Sequence, residues 1–131
     1  MLFDRMGETM VKAVMEAVPF EITVIDANDE VVAWNKHETR LFNRPMTTMG
    51  RNIRQCHPEG SLPKVERLVE QMRAGKRDSA RFWIDMRGRK VLIEFYALRD
   101  EKKQYIGCME CTRDVTDIQD LRGERRLLDE A

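Results

Sequence analysis

Apolar residues recur along this chain with two different periods, and the change from one period to the other marks the predicted elements. Over residues 2–18 the apolar positions are spaced by three and four, as at Phe3, Met6 and Met10, and Pro19 follows. This spacing is typical of an amphipathic helix that ends before the proline. The sequence therefore predicts an N-terminal helix with one apolar stripe.

The next part of the chain alternates apolar and polar side chains. Apolar and polar residues alternate over residues 20–35, on both sides of a polar stretch at residues 26–30. This pattern predicts a β-hairpin. Residues 36–44 favour one or two helical turns before Pro45, and residues 47–58 favour a loop with at most one helical turn.

The clearest helix is predicted over residues 61–76. Ser61 is a good N-cap residue, Pro63 falls in the first turn, and Gly75 follows the last turn. The apolar stripe consists of Val65, Leu68, Val69 and Met72.

Three further strands are predicted at residues 79–86, 90–100 and 105–115, and residues 116–130 favour a charged helix. The short polar turns between these strands fit an antiparallel meander. The helices cluster between the second and third of five strands. This order predicts an α+β fold in which helices cover one face of an antiparallel sheet.

Composition then narrows the function classes. The 131 residues suffice for one domain, and 23 Lys and Arg balance 23 Asp and Glu, so no net charge favours nucleic acid or an anionic membrane. No apolar run approaches the ~18–20 residues that span a bilayer, and the charged N-terminus lacks the apolar centre of a signal peptide. Three cysteines are an odd number, which suits a reducing compartment. We expect a cytoplasmic protein.

Several stretches resemble one known family when they are taken in order. The hairpin and Trp-Asn of "VIDANDEVVAWNKHETRLF" resemble the first half of a PAS domain, and "MGRNI" resembles the loop before the long PAS helix. The stretch "ALRDEKKQYIGCMECTRDVTD" resembles the last PAS hairpin with its closing Asp-x-Thr, here Asp114-Val115-Thr116. The similarity covers roughly residues 18–117.

This resemblance implies a PAS fold, with a five-stranded antiparallel sheet that cups helices around a small-molecule pocket. It divides the chain into an N-terminal dimerisation helix (1–18), the PAS domain (19–117) and a C-terminal signalling helix (118–131). It also implies a homodimer that relays a signal to a downstream domain or protein. More narrowly, "GRNIRQCHPEGS" with "GERRLLD" is similar to the PAS modules attached to hemerythrin-like domains in anaerobic bacteria.

The loop at residues 50–58 also resembles the flavin-binding, light-sensing branch of the family, but the key positions differ. Ile53 stands where that branch has a reactive cysteine, and an isoleucine cannot form a thioether with flavin. Val91 and Met109 stand where it has a flavin-contacting Asn and a Gln. We therefore expect no flavin photochemistry.

His57 is the candidate metal ligand. PAS domains that bind heme ligate the iron through a His on or near the long helix, which His57 closely precedes, and a neutral imidazole is a good iron ligand. The alternative is that His57 supports the loop through hydrogen bonds to nearby backbone. Both interpretations remain open, and Cys56 is a weaker ligand candidate than its neighbour.

The strand alternation predicts which residues line the pocket. Val91, Ile93 and Phe95 share one face of their strand, and Met109 and Cys111 share one side of the last strand. Because Glu94 and Glu110 prefer water, these five apolar residues are the expected cofactor-binding wall. Such a wall suits a dry core or a flat apolar cofactor equally well.

The Cys-x-x-Cys at Cys108 and Cys111 lies on a predicted strand, where residues three apart point to opposite faces. That geometry disfavours both a disulfide and a zinc clasp. No nucleophile with a base and no glycine-rich phosphate loop is present in the sequence. We therefore expect a sensor or interaction module and no enzyme. The competing hypotheses are a heme-binding gas or redox sensor, a small flavin or heme redox enzyme from another class, and an empty module that only dimerises.

Overall fold

The computed structural model describes residues 5–55 and 60–129. Cys56, His57 and Pro58 lie outside the described residues, as does Phe3 of the N-terminal stripe. The elements are α1 (Glu8–Ala17), β1 (Glu21–Asp26), β2 (Val31–Trp34), α2 (Leu62–Arg73), β3 (Ser79–Met86), β4 (Arg89–Arg99) and β5 (Tyr105–Asp114), with 3₁₀ turns at Met46–Thr48, Ile53–Gln55 and Ile118–Asp120.

The five strands form one antiparallel sheet in the order β2-β1-β5-β4-β3. The predicted hairpin and the predicted meander are both present, and they join where β1 pairs with β5. The sheet thus brings the first half of the chain against its last strand. The α+β prediction, with an antiparallel sheet and helices on one face, is confirmed.

Helix α2 forms where its apolar stripe predicts it. Val69 and Met72 are buried, and Gly75 ends the helix with a φ of 76°, a conformation that glycine adopts at little cost. The Arg99 guanidinium of β4 donates a 2.8 Å hydrogen bond to the Met72 carbonyl, so the sheet satisfies one of the last carbonyls of the helix. Among the described residues, no helix combines the length and apolar character needed to cross a bilayer.

The core lies between α2 and one face of the sheet, which we call the inner face. Its buried members are Ile25, Val31, Ile53, Val69, Met72 and Cys108. Residues Val65, Leu68, Phe95 and Tyr105 pack against this cluster while partly buried. The apolar space between the inner face and α2 is therefore the place to look for a buried ligand site.

Three sequence-based expectations about helices are wrong for the described residues. Helix α1 begins at Glu8, and residues 5–7 are not helical. Residues 36–44 contain a turn and no helix. Beyond the 3₁₀ turn at Ile118–Asp120, residues 121–129 form no helix, and Gly123 has a φ of 61° there. Both terminal segments lack the packing that stabilises a short helix.

Candidate ligand cavity

A small cavity of about 40 Å³ lies between the inner face and α2. Its walls are Thr23, Ile25, Val31, Arg44, Val65, Leu68, Val69, Phe95, Cys108 and Glu110. Most of these side chains are apolar, and the polar ones (Thr23, Arg44 and Glu110) come from β1, the segment after β2, and β5. The cavity is therefore an apolar space with one polar corner.

Strand register explains why Glu110 points inward. Residues directly opposite each other in an antiparallel pair project to the same face. Glu110 lies opposite Thr23 of β1 and Phe95 of β4, whereas Cys108 lies opposite Ile25. Glu110 and Cys108 therefore project to the inner face, together with these three partners.

Three of the five residues predicted to form the cofactor-binding wall project to the inner face, and two do not. Val91 and Ile93 are buried on the same face of β4 as Phe95, but of the three only Phe95 lines the cavity. Met109 lies opposite Tyr96, and Cys111 lies opposite Glu94. Both therefore project to the other face of the sheet.

The placement of Met109 and Cys111 on the cavity wall is thus wrong, and the physical reason is Glu110. The expectation rested on this carboxylate seeking water. In the fold it instead has an arginine as its partner. His57, the predicted metal ligand, lies outside the described residues.

Arg44 is the charged partner that holds Glu110 inside. Its Nη2 lies 3.4 Å from Glu110 Oε1, and the two side chains are only 17% and 18% exposed. The Arg44 Nε is fully buried and has no hydrogen-bond partner among the described residues. A buried N–H without an acceptor is costly, and Arg44 is one of the residues that line the cavity.

A second arginine fixes the segment that carries Arg44. The Arg40 side chain is 2% exposed and donates to the carbonyls of Ile22 and Asn35 and to Thr23 Oγ1, at 3.2, 2.8 and 3.0 Å. Burial lowers the pKa of Arg40, and the nearby Glu21 carboxylate, 3.9 Å away, opposes that shift.

Glu21 also holds the backbone of the same segment. Its carboxylate accepts hydrogen bonds from the backbone N–H of Leu41 and of Phe42. These bonds replace the helical turn that the sequence favours at residues 36–44, because a buried charge pair demands partners that a local helix would not provide. The positions of Arg40 and Arg44 follow from this arrangement.

The buried thiol of Cys108 is not arranged for redox or nucleophilic chemistry. Burial raises its pKa to about 12, so the thiol stays protonated near neutral pH. Its Sγ lies 3.7 Å from the Met72 Sδ in the core. Cys111 projects to the other face, so the two sulfurs cannot clasp one metal ion. No cluster of three potential metal-binding side chains occurs in the described part of the chain.

The cavity size limits what it can hold. Pockets for drug-sized ligands and cofactors measure about 300–1,000 Å³, which is about 8 to 25 times this volume. By the measure that one water needs about 10–15 Å³, the space takes about three waters or a ligand of a few heavy atoms. A heme or flavin would require the sheet and α2 to separate.

An ion-pair network connects the β1–β2 turn to α2. The buried Asp29 carboxylate accepts hydrogen bonds from Arg73 of α2, at 2.8 Å, and from Arg54, at 3.2 Å. Arg73 in turn lies over the Tyr105 ring, 5.2 Å from its centroid. Burial raises the pKa of Tyr105 to about 12. Sequence reasoning missed this network because its members are far apart in the chain.

The comparison with protein-family profiles identifies one family. A family profile described as a PAS domain matches residues 11–116. The chain aligns with the C-terminal domain of a Streptococcus mutans protein at 26% identity and a TM-score of 0.84, covering 89% of this chain and 91% of that one. No curated protein matches the chain significantly.

More distant structures share the fold. The PAS domain of BvgS from Bordetella pertussis is 16% identical with a TM-score of 0.61, and the alignment covers 82% of this chain and 85% of that one. A sensory box sensor histidine kinase from Vibrio cholerae is also 16% identical, with a TM-score of 0.58 and coverage of 82% and 90%. Identities this low establish the architecture alone.

Proposed function

From the premise that this chain belongs to the PAS domain family, we propose that it is a sensor module in which a small molecule occupies the cavity and biases the arrangement of the sheet and its flanking segments. The observation that carries the proposal is the unpartnered, buried Nε of Arg44 beside a cavity with otherwise apolar walls. A ligand that supplied an acceptor there would bind one arrangement of the domain more tightly than others. That difference in affinity is what a sensor converts into a signal.

The C-terminal end of the sheet offers a route for the signal. Directly after β5, Val115 N–H donates to the Lys90 carbonyl at 2.9 Å, and Lys90 N–H donates to Thr116 Oγ1 at 2.8 Å. The segment after residue 117 therefore starts from a fixed point on β4. A shift of β4 or β5 around the cavity would move that starting point and, with it, a downstream domain or protein.

Probe binding tests this function directly. A fragment panel titrated into isotope-labelled protein is expected to give saturable shifts at cavity residues and at Val115 and Thr116. Val65→Phe fills the cavity and should abolish these shifts, whereas Val32→Phe on exposed β2 should preserve them. If the fragments bind to neither variant, or bind equally to Val65→Phe and Val32→Phe, the proposal is contradicted.

We further propose a homodimer formed through α1. Met10 and Val11 of this helix are 57% and 42% exposed, and Val14 continues the same apolar stripe. Exposed stripes of this kind usually mark an interface, and a two-fold dimer is the commonest arrangement. Light scattering should return twice the 15.5 kDa chain mass. Met10→Glu should shift it to the monomer mass.

Heme binding through His57 is the competing assignment, and the small cavity weighs against it. A Soret band that appears with added hemin and disappears in His57→Ala would establish it.

On the motif resemblance of residues 50–61 and 123–129, we also propose a hemerythrin-like domain as the output partner. The sequence of the complete reading frame that encodes this chain, and of the adjacent genes, would show whether a hemerythrin-like domain is present. The three cysteines are consistent with a cytoplasmic setting, where they would stay reduced.

A further inference from the structure

The polar corner of the cavity presents one donor beside one acceptor. Arg44 Nε is the buried donor without a partner. The Glu110 carboxylate makes one hydrogen bond among the described residues, through Oε1 to Arg44, which leaves Oε2 available as an acceptor. The two groups belong to the same ion pair, in which Arg44 Nη2 lies 3.4 Å from Glu110 Oε1.

The charges around this corner are already balanced. Arg40 and Arg44 face Glu21 and Glu110, two positive and two negative groups. A carboxylate or ammonium ligand would leave one uncompensated charge in a largely buried place, which is strongly unfavourable. The corner therefore favours an uncharged ligand.

An uncharged group that complements a donor next to an acceptor carries an acceptor next to a donor. A primary or secondary cis-amide has this arrangement, with its carbonyl directed to Arg44 Nε and its N–H directed to Glu110. The remaining walls, including Val65, Leu68 and Phe95, are apolar and would contact a short hydrocarbon part. The volume of about 40 Å³ limits that part to a few heavy atoms unless the walls move.

We propose that the cavity recognises a small uncharged amide, whose carbonyl binds Arg44 and whose N–H binds Glu110. This inference rests on the proposed function, since it names the ligand class of the same cavity. It makes the Arg44–Glu110 pair the determinant of specificity. The apolar wall then decides only which amides fit.

Three molecules of nearly the same shape and four heavy atoms each separate the possibilities. Acetamide carries both groups, acetone carries the carbonyl alone, and acetate carries the negative charge. Each is titrated into wild-type protein while the Nε–H resonance of Arg44 is followed by NMR and assigned with Arg44→Lys. Acetamide should bind with a dissociation constant in about the millimolar range, as expected for so small a ligand. Its affinity should be about tenfold or more above the affinities of acetone and acetate.

Matched variants then assign the acceptor. Glu110→Gln should weaken acetamide about tenfold and leave acetone unchanged. Glu94→Gln makes the same chemical change on the other face of the sheet, and its affinity for acetamide should equal that of wild type. The comparison of the three probes on wild-type protein needs no variant, so it decides the matter even if Glu110→Gln fails to fold.

Several results would overturn the inference. Tighter binding of acetate would make the corner an anion site, and equal binding of all three probes would remove any role for the ion pair. If none of the three shifts the Arg44 resonance while other fragments still bind in a Val65-dependent way, the amide assignment fails and the sensor function stands. If no fragment binds at all, both fail together.

Discussion

The Asp29 carboxylate of the β1–β2 turn accepts a 2.8 Å hydrogen bond from the Arg73 guanidinium near the end of α2. Asp29 is buried and has a φ of 64°, and its second oxygen accepts from Arg54. This one carboxylate therefore connects the first hairpin, the 3₁₀ turn at Ile53–Gln55 and the long helix. It fixes how α2 lies across the sheet, and so it fixes the space between them.

The first prediction concerns this connection. Asp29→Asn keeps the shape and tolerates the positive φ, but it removes the charge that two guanidinium groups share. We expect the free energy of unfolding to fall by about 1–3 kcal/mol, measured by urea denaturation. Asp85→Asn is the control, because Asp85 is largely exposed and pairs with Lys90 at the surface, and its effect should stay within about 0.5 kcal/mol. Equal effects would contradict the assigned role.

The second prediction concerns close approach of two backbones. A Cβ at Gly107 would lie 2.3 Å from the Ile25 carbonyl oxygen, where β5 pairs with β1. Gly107→Ala must push the two central strands apart, so we expect a loss of about 1–3 kcal/mol in unfolding free energy. Gly60→Ala has nothing within 4 Å and should be nearly neutral. A stable Gly107→Ala protein would show that the strands yield easily at this point.

The third prediction follows from the buried Cys108 and Tyr105. Burial raises both pKa values to about 12 in the folded protein, above the ordinary thiol and phenol values. The neutral forms favour folding, so this stability is fully present below about pH 9 and is lost as the pH rises toward 12. Urea denaturation between pH 7 and 11 should show the decline, and Cys108→Ala should make it shallower. A thiol reagent at pH 8 should label Cys108 in urea and not in native protein.

The strands and α2 were predictable from sequence because their patterns are local. The strand predicted at residues 79–86 coincides with β3, and the stripe from Val65 to Met72 lies on the side of α2 that packs against the core. Turn residues helped in the same way, since Gly75 and Gly88 both have positive φ. A local pattern needs only its own neighbours in the chain to be interpreted.

The polar corner could not be predicted in that way. Glu110 is partly buried because Arg44, 66 residues earlier, is its partner, and no spacing rule links the two. On β5 both faces carry a cysteine, so alternation alone left the inner side undecided. The non-helical path of residues 36–44 has the same origin, since Arg40 and Glu21 meet only when the sheet forms. One available signal was the pair of arginines that flanks Leu41 and Phe42 in the "RLFNR" segment.

The last prediction concerns the hydrogen bonds at the end of β5. The Arg89 guanidinium, 2.7 Å from Asp114, and the N–H of Thr116 hold the pKa of Asp114 at about 2. The stabilisation of the fold by the ionised Asp114 carboxylate is present above about pH 4 and is lost as the pH falls toward 2.

Asp114→Asn should therefore loosen this junction without unfolding the sheet. We expect faster amide hydrogen exchange at Val115, whose N–H donates to Lys90, and unchanged exchange at Ile93 in the core. Asp120→Asn, a matched change in the exposed segment beyond, should leave both rates as they are in wild type. If Asp114→Asn instead accelerated exchange at Ile93 and Val115 equally, the junction would be part of the global core, and a signal could not leave the sheet through a local change there.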